Sequence, residues 1–310
     1  MNEFELITRL IPSLPTNASV VAGAGDDCAI LDVGIPDRWL LFKTDAVVEG
    51  VHFTREVDPE KIGHKALARC LSDIAAMGGT PTHAVVTLGL PKPFDLAFVE
   101  ALYRGLNRLA TRYQVAVVGG ETTLNPERVF ISVSVLGTVP QAQGILRSGA
   151  TAGDAIFVTG KLGGSLAGKH LDFEPRLVEA RWLVEHFSIH AMIDISDGLA
   201  GDLGHILKAS QVGAELLASA IPISQSARLL AKSESPQKPP LLAALTDGED
   251  FELLFTVSSR DAVALLDSWK KRFPELPLSC IGKIIPGSGV FIKDKQGMRP
   301  LTAHGYIHFT

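Results

Sequence analysis

Cysteine is scarce in this 310-residue chain: three residues, Cys28, Cys70 and Cys280, lie far apart with no CxxC pair. That spacing excludes a disulfide framework and a thiolate zinc site, and it points to reduced thiols in a cytoplasmic protein. No dense Lys/Arg run occurs, and the net charge is −5 with a pI near 6.0. A basic nucleic-acid face is therefore not expected, and polyanions become ligands only where metal ions carry the positive charge. No apolar stretch is long enough to span a bilayer, so no membrane partner is expected. The N-terminus "MNEFELITRLIPSLP" is acidic and amphipathic, unlike a signal peptide. No short-period repeat is present.

Two nucleotide-binding signatures are also missing. "GAGDDC", residues 23–28, fails G-x-G-x-x-G, which leaves a Rossmann dinucleotide site unsupported. "GGSLAGKH", residues 163–170, fits G-x-x-x-x-G-K but ends in His170. Without a Ser or Thr hydroxyl there the usual Mg²⁺ ligand is lost, and Gly163-Gly164 reads as a turn.

With 46% hydrophobic and 20% charged residues, the chain reads as globular, and its length favours two domains. Residues 4–10 read as a short helix ended by Pro12 and Pro15. "ASVVAG" and "RWLLFKTD" read as strands, and Ile62, Ala66, Cys70, Ile74 and Met77 recur at helical spacing. "THAVVTLGL", "VAVVGG" and "VFISVSVLGTV" are further strands. Residues 95–112 form a helix whose face carries Leu96, Val99, Tyr103, Leu106 and Leu109 or Ala110. A polar stretch rich in small residues, 140–154, marks the junction between an N-terminal domain, 1–140, and a C-terminal domain, 141–310. Beyond it "AIFVTG", "AMIDIS", "LLFTV", "LSCIGKI" and "GVFIKD" are strands. Residues 176–187, 198–209 and 261–272 are helices, and 231–240 is an exposed loop. The class is α/β (α+β).

Carboxylates recur at the ends of these apolar segments: Asp26-Asp27, Asp45, Asp73, Glu121, Asp194, Asp197 and Glu249-Asp250. Any one of them alone reads as a helix cap or an Asx-turn. A set of acids gathered in one cleft repels itself unless hard cations hold it. Mg²⁺ takes one or two carboxylates together with phosphate oxygens. The pattern points to a nucleotide-phosphate site and to phosphoryl transfer.

The motifs "EFELI", "GDDCAIL", "KTDAVVEGVHF", "ALARCLSDIAAMGG", "VVGGET", "RSGATAGD", "IDISDGLAGDLGHI" and "DGEDFELLFT" stand in the order found in the thiamine-monophosphate kinase family. The resemblance runs from about residue 3 to the closing "GYIHF". It implies a two-domain fold like that of aminoimidazole ribonucleotide synthetase, with the N-terminal sheet forming a barrel across a homodimer. It implies the last step of thiamine diphosphate biosynthesis: direct in-line transfer from ATP to thiamine monophosphate. Carried over by position, it implies metal ligands Asp27, Thr44, Asp45, Asp73, Glu121, Asp194 and Asp197, with Asp27, Asp45 and Asp73 anchoring several Mg²⁺ ions for catalysis. ATP is expected at Tyr103, Gly120, Glu121, Arg147 and Ser196. The acceptor is expected at His52, Glu249 and Tyr306. Asp26 stands equally as a turn-former or as a partner of Asp27.

Four positions depart from the family pattern. Glu121 stands where Asp is usual, Lys43 where Thr or Ser is common, Cys70 where Asn is common, and Asp247 at the first glycine of "GGED". Lys43 replaces part of a metal site or binds phosphate directly; Cys70 reads as an apolar helix-face residue; Asp247 is expected to alter its turn. Two competing readings are a related synthetase of the same superfamily, against which "EGVHF" and "GYIHF" argue, and a non-catalytic nucleotide-binding scaffold, against which the retained acids argue.

Overall fold

The structure, a computed structural model, describes residues 3–233, 238–302 and 305–306. It divides into two compact units. One comprises Ala18–Gly144 with His170–Arg181, and the other comprises Met1–Asn17, Ile145–Lys169 and Trp182–Thr310. The N-terminal helix α1 (Glu3–Leu10) thus groups with the second unit.

The first unit is a six-stranded sheet with two long helices. Its elements are β1 (Val20–Ala22), β2 (Ala29–Leu31), β3 (Arg38–Val48), α2 (Pro59–Ala76), β4 (Thr80–Leu90), α3 (Leu96–Arg112), β5 (Ala116–Leu124) and β6 (Phe130–Pro140). The sheet order is β1-β2-β3-β6-β4-β5, antiparallel except where β4 and β5 run parallel. Helix α2 starts where the Asp58 side chain accepts from Glu60 N–H, with Pro59 in the first turn, and Asp95 caps α3 by accepting from Ala97 N–H. The expected apolar stripe of α2 is buried throughout. That of α3 is displaced: Leu96 is 62% exposed, and the buried side is Ala101, Leu102, Gly105, Leu106, Leu109 and Ala110. The reason is a close crossing. A Cβ on Gly105 would stand 1.8 Å from Glu60 O, and one on Gly63 1.9 Å from Leu102 O. The glycines turn α3 onto its smooth side, and the larger Leu96 is left outside.

The second unit holds β7 (Asp154–Thr159), β8 (Ile189–Asp194), α5 (Leu199–Ser210), β9 (Gly213–Leu217), α6 (Gln225–Leu230), α7 (Pro240–Thr246), β10 (Leu253–Ser258), α8 (Ala262–Arg272), β11 (Leu278–Ile285), β12 (Val290–Asp294) and β13 (Gly297–Pro300). Helix α4 (Leu177–His186) spans the chain boundary between the units. The seven-stranded sheet has the order β13-β12-β9-β11-β7-β10-β8, with only β12 and β9 parallel. Its central strand β7 is buried end to end and β10 as far as Val257, and their core includes Ile156, Val158, Leu254, Ile193 and Leu203. Strand β9 and helices α6 and α7 went unread in the sequence because each is short. Residues 234–237 of the expected 231–240 loop, and 307–309 of the closing "GYIHF", lie outside the described residues.

Candidate functional site

In the first unit the chemistry lies between β3 and α2. Residues two apart on a strand share a face, so Lys43 and Asp45 point the same way. Arg69 and Asp73, four apart on α2, share a helix face. The pairs cross. Lys43 Nζ bonds Asp73 Oδ1 at 2.8 Å, while Arg69 Nε reaches Asp45 Oδ2 at 2.9 Å and its Nη2 reaches Oδ1 at 3.3 Å. Asp45 Oδ1 also accepts from Ala46 N–H at 2.8 Å. Asp73 is buried, and its charge raises the Lys43 ammonium above its ordinary range although burial opposes this.

Asp27 is buried just ahead of β2 and neighbours Cys28, whose thiol is pushed up by burial and then by Asp73. Cys28 stands directly before β2. Cys70 is buried on α2, donates to Val133 O at 3.2 Å and behaves as the apolar helix-face residue expected. Carboxylate oxygens of Asp27 and Asp73 lie within 4.8 Å of each other, hard donors that suit a divalent cation, whereas Asp45 holds a guanidinium on both oxygens.

Thr44 does not join this set. It alternates with Lys43 and Asp45, so its hydroxyl projects from the opposite face, 3.0 Å from Ser134 Oγ. The period-2 alternation was legible in the sequence and would have found this. Gly120 and Glu121 sit exposed on the edge strand β5, where Glu121 Oε1 accepts from Thr122 N–H. Tyr103 lies partly buried on α3, and burial raises its hydroxyl. His52 Nδ1 accepts from Val48 N–H at 3.0 Å, so a neutral ring carries its proton on Nε2. The buried Lys65, absent from the sequence-based candidates, holds this loop by donating to His52 O at 2.7 Å and to His170 Nδ1 at 2.8 Å.

In the second unit, β8 ends at Asp194 and the chain turns through Ser196 and Asp197 into α5. Asp202 on α5 shapes that turn, its Oδ2 accepting from the backbone N–H groups of Asp197 at 3.1 Å and Gly198 at 3.0 Å. Burial, reinforced by Asp197 and Asp194, raises the Asp202 carboxyl well above its usual range. Donor atoms of Asp197, Asp202 and His205 lie within 4.8 Å of one another. His205 is pushed down to about 4 by burial and by the Arg147 and Lys208 charges, so it stays neutral at physiological pH. Arg147 acts on Asp202 as well. Arg69, Asp202 and His205 escaped the sequence-based candidates, although the last two stand inside the quoted "GDLGHI".

The "DGED" loop closes against the same turn. Glu249, in the left-handed region at φ 62°, donates its N–H to Ser196 O at 2.6 Å, and Tyr306 N–H reaches Asp197 O at 2.8 Å. Asp247 is extended, with φ −76°, so the change expected from losing a glycine there does not arise. Its Oδ2 accepts from Gly164 N–H, and Asp250 Oδ2 accepts from Gly163 N–H, both at 2.9 Å. Lys169 pairs with Glu252 at 2.7 Å. The amides and lysine that a phosphate loop would offer are thus spent on this chain's own carboxylates.

The model for the AIR synthase related protein, N-terminal domain, matches residues 25–139, and that for the C-terminal domain matches residues 151–295. Thiamine-monophosphate kinase of Rhodopirellula baltica is 41% identical, covering 92% of this chain and 88% of its own length. The Bacillus subtilis enzyme of that name is 35% identical over the whole of both chains. Among solved structures, AaThiL complexed with AMPPCP and TMP superposes with a TM-score of 0.80 at 32% identity, covering 99% of this chain and 97% of its own. The hydrogenase maturation protein HypE in complex with ATP, at 22% identity and a TM-score of 0.71, shares the fold. The chain belongs to the AIR synthase related proteins and, within them, to the thiamine-monophosphate kinase family.

Proposed function

We propose that this chain transfers the γ-phosphoryl group of ATP to thiamine monophosphate, giving ADP and thiamine diphosphate. The observation that carries the reading is the pair of crossed carboxylate–base contacts between β3 and α2, with Asp73 buried, in a chain of this family. The relative solved with AMPPCP and TMP supports the choice of donor and acceptor. An oxygen of the acceptor phosphate attacks the γ-phosphorus, and the bond to the β,γ-bridging oxygen breaks. The acceptor is a phosphate monoester already largely ionised at neutral pH, so the step needs positioning and charge neutralisation more than a strong base.

Mg²⁺, when bound, supplies charge neutralisation between two polyanions. We assign Asp27, Asp45 and Asp73 to metal binding in the first unit, with Glu121 as a further ligand, and Asp194 and Asp197 to metal binding in the second. Thr44 receives no role for its hydroxyl. Tyr103, Gly120, Arg147 and Ser196 are assigned to ATP, with Arg147 as the guanidinium best suited to clamp phosphate. His52 is assigned to the acceptor phosphate, since its Nε2–H is a donor in the neutral ring. Glu249 and Tyr306 are assigned to the thiamine cation, by charge and by ring stacking respectively.

A cytoplasmic homodimer fits this reading. The first unit's sheet exposes Phe42, Val85 and Val118, apolar surface that a second copy would cover. No helix among the described residues is long and apolar enough to cross a membrane.

The test is a substrate panel. Mg-ATP is incubated with the protein and thiamine monophosphate, thiamine or an aminoimidazole precursor, and products are separated by chromatography. Thiamine diphosphate from the monophosphate alone is expected; its absence overturns the reading.

A further inference from the structure

The acids between β3 and α2 do not face one another bare. Each of two carboxylates is matched by a base from the opposite element: Lys43 of β3 to Asp73 of α2, and Arg69 of α2 to Asp45 of β3. The four groups are largely withdrawn from water, with side-chain exposures of 23% and 10% for the first pair and 15% and 23% for the second. Surface ion pairs of long side chains are loose, but charges held this far from solvent stay in place and act strongly on whatever approaches. Asp27, close enough to act on the same Cys28 thiol as Asp73 and Lys43, adds a third carboxylate. Three negative charges would draw in more than one divalent ion; with two cations already in place, most of that attraction is spent. Moreover, a divalent ion on Asp73 meets the Lys43 ammonium 2.8 Å from the same carboxylate. The two cations compete for one anchor.

We propose that Lys43, backed by Arg69, is a resident countercation that takes the place of one divalent ion. The centre of this chain then loads one Mg²⁺ fewer than its acid set would otherwise hold. The inference rests on the kinase reading and specifies how part of the phosphate charge is neutralised there. It also accounts for a lysine standing directly before Thr44-Asp45. At that position an ammonium, unlike an oxygen donor, contributes positive charge without recruiting a metal.

The test counts ions. Mn²⁺, visible by electron paramagnetic resonance when free, is titrated into the full chain with AMPPCP and thiamine monophosphate. The chains compared are wild type, Lys43→Thr and Lys43→Arg. The expected result is one additional Mn²⁺ per chain in Lys43→Thr and the wild-type number in Lys43→Arg. An equal count in wild type and Lys43→Thr overturns the proposal, as does a gain in Lys43→Arg, which keeps the charge. Should Lys43→Thr fail to fold, Lys43→Met with Arg69 intact supplies the neutral comparison: by removing the ammonium it is expected to gain the ion, and a wild-type count overturns the proposal. If no chain binds Mn²⁺ beyond the nucleotide's own ion, the kinase reading falls with the inference. A full but unchanged complement defeats the inference alone.

Discussion

Asp250 makes stability depend on pH in a calculable way. It is fully buried; its Oδ2 accepts from Gly163 N–H, and its Oδ1 meets no donor among the described residues. Burial pushes its carboxyl from the ordinary 3.8 to about 7, with Lys169 and the Gly163 N–H opposing and Glu252 and Asp247 adding to the rise. Below about pH 4 the group is protonated in both folded and unfolded chains and costs nothing. As the pH rises toward 7 the unfolded chain releases this proton and the folded one keeps it, so stability falls by about 1.4 kcal/mol per unit. Above 7 the loss is complete and constant. Asp250→Asn keeps an acceptor for Gly163 and removes the titration. Between pH 5 and pH 8 the variant is expected to gain about 2–3 kcal/mol on the wild type. At the scale of a domain this size that is roughly 5 °C or more in the thermal midpoint. Scanning calorimetry of both proteins at pH 5, 6, 7 and 8 reads the gap. A gap that stays constant, or narrows toward pH 8, refutes the argument.

Gly105→Ala forces α2 and α3 apart, since its Cβ would lie 1.8 Å from Glu60 O where real contacts stay beyond 3.0 Å. Urea unfolding should show a net loss of about 1–3 kcal/mol despite alanine's better helix propensity. Asp73→Asn should lower kcat by roughly 100-fold or more while circular dichroism stays native, because it removes charge from the site without changing volume; near-normal turnover would defeat its metal role. Lys169→Met strips the ammonium from buried Glu252 and should cost about 2 kcal/mol, less than a fully buried pair because Lys169 is one-third exposed. Adding Glu252→Gln to that variant should recover part of the loss in the same denaturation assay.

The order of the longer elements and the acids at strand ends were legible in the chain, because each depends on neighbours a few residues away. The failure of "GGSLAGKH" as a phosphate loop was legible too, from His170, although the partners that occupy its amides were not. The buried side of α3 was misread because two apolar stripes compete on that helix, and the choice fell to Gly63 and Gly105 meeting across a helix crossing. Arg69 looked like any helix arginine until α2 was laid on β3 and its guanidinium met Asp45. The face to which Thr44 turns was written in the strand's alternation, but its partner Ser134 lies 90 residues away. The sequence alone thus determined which groups are present and their local presentation, through periodicities and turn chemistry that act over a few residues. The tertiary structure alone decided which charges neutralise one another and which are buried, because those energies depend on which faces meet, and the faces belong to segments far apart in the chain.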